Sequence, residues 1–79
     1  MTCHRFKSTP ENWRKERSGV KPNTVRCIEE DDPRFLIKEG DAIAIENTLT
    51  QETFMRVVAD VTLWDDLHII SWRHEERAT

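Results

Sequence analysis

The alternation of apolar and polar residues predicts five short strands and one helix. The helix is expected over 10–18, where Thr9 can cap it, Pro10 suits its first turn and Gly19 can end it. Runs rich in β-branched and apolar residues indicate the strands. Their predicted ranges are 3–7, 24–28, 42–46, 54–63 and 67–72. Between the second and third strands, the acidic run 29–32 and Pro33 predict a loop or a single helical turn.

The strand over 54–63 has the clearest alternation and decides much of the expected core. Its odd-numbered side chains, from Met55 to Leu63, are expected on one face. Five strands in so short a chain favour a curled sheet, because curling removes exposed edges. The predicted fold is therefore α+β, a small partly closed antiparallel β-barrel with one or two short helices. The expected core residues are Phe6, Trp13, Phe35, Ile43, Ile45, Met55, Val57, Val61, Leu63, Ile70 and Trp72.

Length and composition bound the class of protein. The chain has 79 residues, which predicts a single domain over 1–79 with a charged, frayed tail at 73–79. Two cysteines, Cys3 and Cys27, do not make a disulfide framework. Neither a leader nor an apolar run of about 20 residues is evident, so a cytoplasmic protein without a membrane contact is expected.

The net charge of −3 conceals a division along the chain. Residues 1–27 carry seven Lys and Arg against two Glu, a balance of +5, and the remainder carries five against thirteen, a balance of −8. A basic end of this kind can mark an anion-binding face, and it can equally reflect exposed helices that are basic for solubility.

The turn and strand after the helix hold the main candidate site residues. In a strand over 24–28, Thr24 and Arg26 share one face, and Lys21 lies just before that face. An ammonium, a hydroxyl and a guanidinium could therefore converge on one anionic or carbonyl-bearing ligand. His4, at the start of the first strand, could line the same groove.

Each of these residues also has a purely structural interpretation. Lys21 is a base or anion anchor, or else an exposed turn lysine. Thr24 is a nucleophile activated by Lys21, or a threonine that favours the strand. Arg26 holds a phosphate or base edge, or pairs with the acidic run. The cysteines and histidines fit no common zinc spacing, so no metal or other cofactor is expected, and Cys27 is interpreted as a buried free thiol.

The order of these residues resembles the ASCH group of the PUA-like superfamily. The resemblance spans about residues 4–72 and depends most on the motif Gly-x-Lys-x-x-Thr-x-Arg and a later Gly-Asp that opens a strand. The matching residues are His4, Phe6, Lys7, Pro10, Trp13, Ser18, Gly19, Lys21, Thr24, Arg26, Phe35, Gly40 and Asp41. The resemblance implies a small β-barrel that binds RNA or a modified nucleoside between the barrel and the first helix.

Part of that group is similar to amidohydrolases that deacetylate N4-acetylcytidine. There the motif lysine and threonine, here Lys21 and Thr24, are the proposed catalytic pair, with a glutamate supplied by a later insertion. This chain has only a short turn at that place, so the insertion that would supply the glutamate is missing, and Glu46, Asp65 and Glu75 are the conceivable substitutes. Shortened relatives of this kind occur in phage-like genomes.

Three hypotheses follow from the sequence. The leading one is a PUA-like domain that binds RNA or a nucleoside in a groove between the first helix and the following strand, with Lys21, Thr24, Arg26 and His4 as ligand-binding residues. The first alternative is an amidohydrolase that uses Lys21 and Thr24. The second is a phage-type module whose acidic face, including Asp31 and Asp32, contacts a partner protein.

Overall fold

The structure is a computed structural model, and it describes residues 2–73. These residues form five strands, one α-helix and one 3-10 helix. In chain order the elements are β1 (Cys3–Ser8), α1 (Pro10–Ser18), β2 (Asn23–Cys27), the 3-10 helix (Pro33–Leu36), β3 (Ala42–Asn47), β4 (Thr53–Trp64) and β5 (Leu67–Trp72). The predicted elements are confirmed to within one residue at most of their ends. The predicted tail beyond Arg73 lies outside the described residues.

The strands form one curled, half-barrel sheet in the order β1-β3-β4-β5-β2. The pairs β3–β4, β4–β5 and β5–β2 are antiparallel, but β1 and β3 are parallel, so the expectation of a wholly antiparallel sheet was wrong. The chain leaves β1, forms α1 and β2 at the far edge, and returns to β3. A crossover of this length allows two neighbouring strands to run in the same direction.

Helix α1 begins and ends where the local sequence predicts. Pro10 occupies its first turn, and Gly19 ends it in the left-handed conformation at φ 92°. Thr9 is at the N-cap, but its side chain makes no capping hydrogen bond. The helix packs on β3 and β1, and the indole Nε1–H of Trp13 donates to the backbone oxygen of Ile45 at 2.9 Å. No helix within residues 2–73 has the length and apolar character that a bilayer crossing requires.

The core lies between α1 and the concave face of the sheet. Six predicted core residues are buried, and Phe35 and Val61 are partly buried against them. The buried core residues are Phe6, Trp13, Ile28, Ile37, Ile43, Ile45, Phe54, Val58, Ile70 and Trp72. The expectation for Met55, Val57 and Leu63 was wrong, because these side chains are 55%, 57% and 60% exposed.

An irregularity in β4 explains the errors at Met55 and Val57, whereas Leu63 is exposed because it lies one residue before the end of the strand. Before it, Phe54 and Val58 point into the core, and after it Val61 lies opposite the buried Ile70. The pairing with β5 shifts register between Val58 and Asp60, so one extra residue enters β4. A β-bulge of this kind exchanges the inward and outward faces for the rest of the strand. A single alternation over the whole strand therefore assigns half of it to the wrong face.

We predict that Val58→Ala lowers the free energy of unfolding by about 2 kcal/mol, since Val58 is 1% exposed. Val57→Ala removes the same atoms from the adjacent, exposed position and should cost less than about 1 kcal/mol. Urea unfolding of both variants measures the difference. Equal destabilisation by the two substitutions would contradict the assignment of the faces of β4.

Candidate anion-binding site

The segment from Gly19 to Arg26 places two of its three candidate side chains together. Thr24 is 2% exposed and Arg26 is half-buried on the same face of β2, as the alternation predicts. The Nε–H of Arg26 donates to Thr24 Oγ1 at 2.9 Å. Cys27 lies on the opposite face and is an exposed free thiol, so the interpretation of a buried thiol was wrong.

Lys21 is tied through its backbone to the end of α1 and, among the residues that the structure describes, is not hydrogen-bonded to this pair. Its backbone N–H donates to the backbone oxygen of Lys15 at 3.0 Å, which ties the turn to the end of α1. Its side chain is half-buried. Within residues 2–73, no hydrogen bond joins Lys21 Nζ to the Thr24 hydroxyl, whose oxygen already accepts from Arg26.

Arg26 bridges the two edge strands of the half-barrel. From β2, its Nη1 donates to the backbone oxygen of Lys7 and its Nη2 donates to Ser8 Oγ, both at 2.8 Å and both on β1. The Ser8 hydroxyl in turn donates to Glu16 Oε1 at 2.9 Å. The partners of Arg26 are therefore on β1 and β2 and not in the acidic run, and Arg26 closes the seam between these two strands.

Glu16 and Ser8 are site residues that the sequence reasoning missed. Glu16 is 1% exposed on α1, and it lies three residues after the buried Trp13, which is the spacing of one helix face. Ser8 continues the inward alternation of His4 and Phe6. Burial lowers the pKa of Arg26, and the nearby Glu16 carboxylate acts in the opposite direction. The guanidinium remains charged at neutral pH, because arginine side chains keep their proton in proteins.

Arg34, in the 3-10 helix, makes a second bridge to β1. Its Nη1 donates to the backbone oxygen of Arg5 at 2.8 Å, and its Nη2 pairs with Asp32 Oδ2 at 2.7 Å. Hydrogen bonds from Arg34 lower the pKa of Asp32 to about 2, and the same pair raises the pKa of Arg34. Both guanidiniums lie against the Phe6 ring, with Arg26 at 5.0 Å and Arg34 at 4.8 Å from its centroid.

These two bridges form part of a basic cleft of about 330 Å³. Its lining contains four cationic side chains and a single carboxylate, that of Glu46. The lining residues are Arg5, Phe6, Lys7, Arg26, Arg34, Ala44, Glu46 and Thr53. Arg5 and Lys7 are exposed, whereas Arg26 and Arg34 are held by their hydrogen bonds. The cleft can therefore present fixed and mobile positive charges to one anion.

His4 is placed elsewhere. It is 7% exposed, and its Nε2 lies 2.9 Å from Asp41 Oδ2, which also accepts from the Lys38 backbone N–H at 3.2 Å. His4 does not line the basic cleft. The Gly-Asp pair thus has a role in the fold, because Gly40 takes a left-handed φ of 94° and Asp41 joins the preceding turn, through Lys38, to β1, through His4.

We predict that Arg26→Lys and Arg26→Ala both lower the free energy of unfolding, by roughly 2–3 kcal/mol. A lysine has no planar fork and cannot donate to Thr24, Lys7 and Ser8 together, as Arg26 does. Urea unfolding measures the loss, with Arg14→Ala as a control on the exposed face of α1. Wild-type stability in both Arg26 variants would contradict the bridging role.

A second prediction concerns acid unfolding. The hydrogen bond from His4, with those from Lys38, lowers the pKa of Asp41 to about 2 from an ordinary 3.8. A carboxyl whose folded pKa is depressed stabilises the fold above its unfolded pKa, and this contribution is lost as pH falls from about 4 towards 2. Asp41→Asn should therefore be less stable at pH 6 and lose less further stability over that interval. Urea midpoints against pH measure this, and Asp66→Asn, in an exposed turn, is the control. The same acid dependence in Asp41→Asn and wild type would reject the assignment.

No protein-family model matches this chain, and no curated protein matches it. The resemblance to the ASCH group stays a prediction from the order of its motif residues. The chemistry of the site is accordingly inferred from its own geometry.

Proposed function

We propose that this domain binds RNA or a nucleoside phosphate through the basic cleft at the seam between β1 and β2. One observation carries the proposal: four cationic side chains converge on a cleft that contains a single carboxylate. Guanidinium groups bind phosphate well, because their planar forks match two of its oxygens. Modified nucleosides of the kind implied by the ASCH resemblance belong to the same proposal.

Preorganisation supports binding at this position. Three hydrogen bonds hold the Arg26 guanidinium, and these leave one N–H on each Nη without a partner among residues 2–73. Arg34 is fixed in the same way by Asp32 and the Arg5 backbone oxygen. Side chains that are already ordered lose less conformational entropy when a ligand binds. The exposed Arg5 and Lys7 can then adjust to the rest of the ligand.

The proposed position differs from the groove between α1 and β2 that the sequence predicts. Thr24, one of the four residues expected to line that groove, is 2% exposed, and α1 packs on β1 and β3. The acidic runs 29–32 and 65–66 disfavour a long nucleic acid that covers the whole surface. The ligand is therefore a short segment or a single nucleotide.

Hydrolysis of an acetylated nucleoside is the alternative proposal. It requires Lys21 to deprotonate Thr24, but the Thr24 hydroxyl is buried and accepts a hydrogen bond from Arg26. Of the acidic residues that could assist, Glu46 lines the basic cleft and Asp65 lies in the turn between β4 and β5. Glu75 lies outside the described residues. These contacts favour binding over turnover.

The binding proposal is tested with Arg5→Ala/Lys7→Ala, which changes exposed residues of the cleft and leaves both bridges in place. Fluorescence anisotropy with a labelled short single-stranded RNA should show weaker binding, by about tenfold or more at low salt. The slope of log affinity against log salt should fall by about 1.4, since each lost phosphate contact on a single strand contributes about 0.7.

The matched control is Arg14→Ala/Lys15→Ala, which removes the same charge from the exposed face of α1. The control should bind RNA as the wild type does. Equal weakening in the two double variants would mean that net charge alone drives binding and would reject the cleft. In parallel, wild-type protein is incubated with N4-acetylcytidine, and acetate release would favour the hydrolase instead.

A further inference from the structure

A second cavity, of about 420 Å³, has the opposite character to the basic cleft. It lies among the ends of β2, β4 and β5 and the 3-10 helix, and its walls include Ile28, Phe35, Leu63 and Leu67. Phe35 directly follows Arg34, so the 3-10 helix contributes to both concave sites. The volume is within the range of roughly 300–1,000 Å³ that ligand pockets usually have.

The charges around this cavity are all negative. Glu29 and Glu30 follow β2, Asp65 and Asp66 form the turn between β4 and β5, and all four line the cavity. Its lining includes no lysine or arginine from the part of the chain that the structure describes. Four carboxylates around an apolar pocket favour a ligand with a positive head and an apolar stem.

An independent observation comes from His68, which lines the same cavity. His68 is 2% exposed, and its Nε2 lies 3.0 Å from the Phe35 backbone oxygen. Because a carbonyl oxygen only accepts, Nε2 carries the hydrogen, and Nδ1 of the neutral ring is an acceptor. Among residues 2–73, Nδ1 has no hydrogen-bond partner. A buried acceptor without a partner is costly, and a ligand N–H donor would satisfy it.

We propose that this cavity binds a primary ammonium group on an aliphatic stem. The apolar walls would contact the stem, the carboxylates would attract the ammonium, and His68 Nδ1 would accept one of its hydrogens. The same chemistry is found in a free polyamine and in a lysine side chain of a partner protein. Over the described residues, no group of three or more His, Cys, Asp or Glu is arranged to hold a metal ion, so an organic cation fits the site better.

The test is an NMR titration of the labelled full chain with spermidine and, separately, with a capped peptide that contains one lysine. We expect saturable shifts of the amides over 27–30 and 63–68, and a shift of the His68 Nδ1 resonance that marks a new hydrogen bond. Saturation by spermidine alone would indicate a free polyamine. Tighter binding of the peptide would indicate a partner's lysine, and either result supports the proposal.

Asp65→Asn/Asp66→Asn should weaken binding about fivefold, through the loss of two partly exposed ion pairs. Asparagine tolerates the left-handed backbone that Asp65 adopts at φ 59°, so the turn is preserved. Glu11→Gln/Glu39→Gln removes two exposed carboxylates away from the cavity and should change affinity less than about twofold.

Three results would overturn the proposal. The first is the absence of saturable shifts with either amine. The second is an equal loss of affinity in the two double variants, which would indicate non-specific attraction. The third is saturation of the same resonances by magnesium chloride with no response to the amines.

Discussion

The hydrogen bonds of Arg26 are the interaction on which the rest of this structure depends. A five-strand half-barrel leaves two edge strands, β1 and β2. Each has backbone N–H and C=O groups on its outer side that no neighbouring strand satisfies. The Arg26 guanidinium spans the gap by contacting Thr24 on its own strand and Lys7 and Ser8 on the other. In a closed barrel, a ladder of backbone hydrogen bonds would join the two edge strands, whereas here a charged side chain joins them.

The bridge has consequences for function as well as for stability. A guanidinium that crosses a seam must be desolvated on one side, and the buried Glu16 compensates for that cost through Ser8. The other side of the same group faces the basic cleft. One residue thus serves the fold and contributes charge to the candidate site. For that reason the exposed Arg5 and Lys7 are the better probes of binding.

The basic and acidic parts of the sequence line two different concave sites in the folded domain. The basic first third supplies Arg5, Lys7 and Arg26 to one cleft, and the acidic remainder supplies all four carboxylates around the other cavity. The 3-10 helix contributes to both sites, since Arg34 lines the basic cleft and Phe35 lines the acidic cavity. Ligands of opposite charge could therefore be distinguished by position on one small domain.

Local sequence determined the elements of this fold, because caps, turns and alternation act over a few residues. It placed α1 between Pro10 and Gly19 and put Thr24 and Arg26 on one face of β2. Only the tertiary structure decided the partners of those side chains. The parallel pairing of β1 with β3 and the contact of Arg26 with Ser8 depend on strands far apart in the chain, and the bulge in β4 depends on how that strand pairs with β5. No short-range pattern in the sequence predicts such contacts, since they form only when the strands pair and the sheet curls.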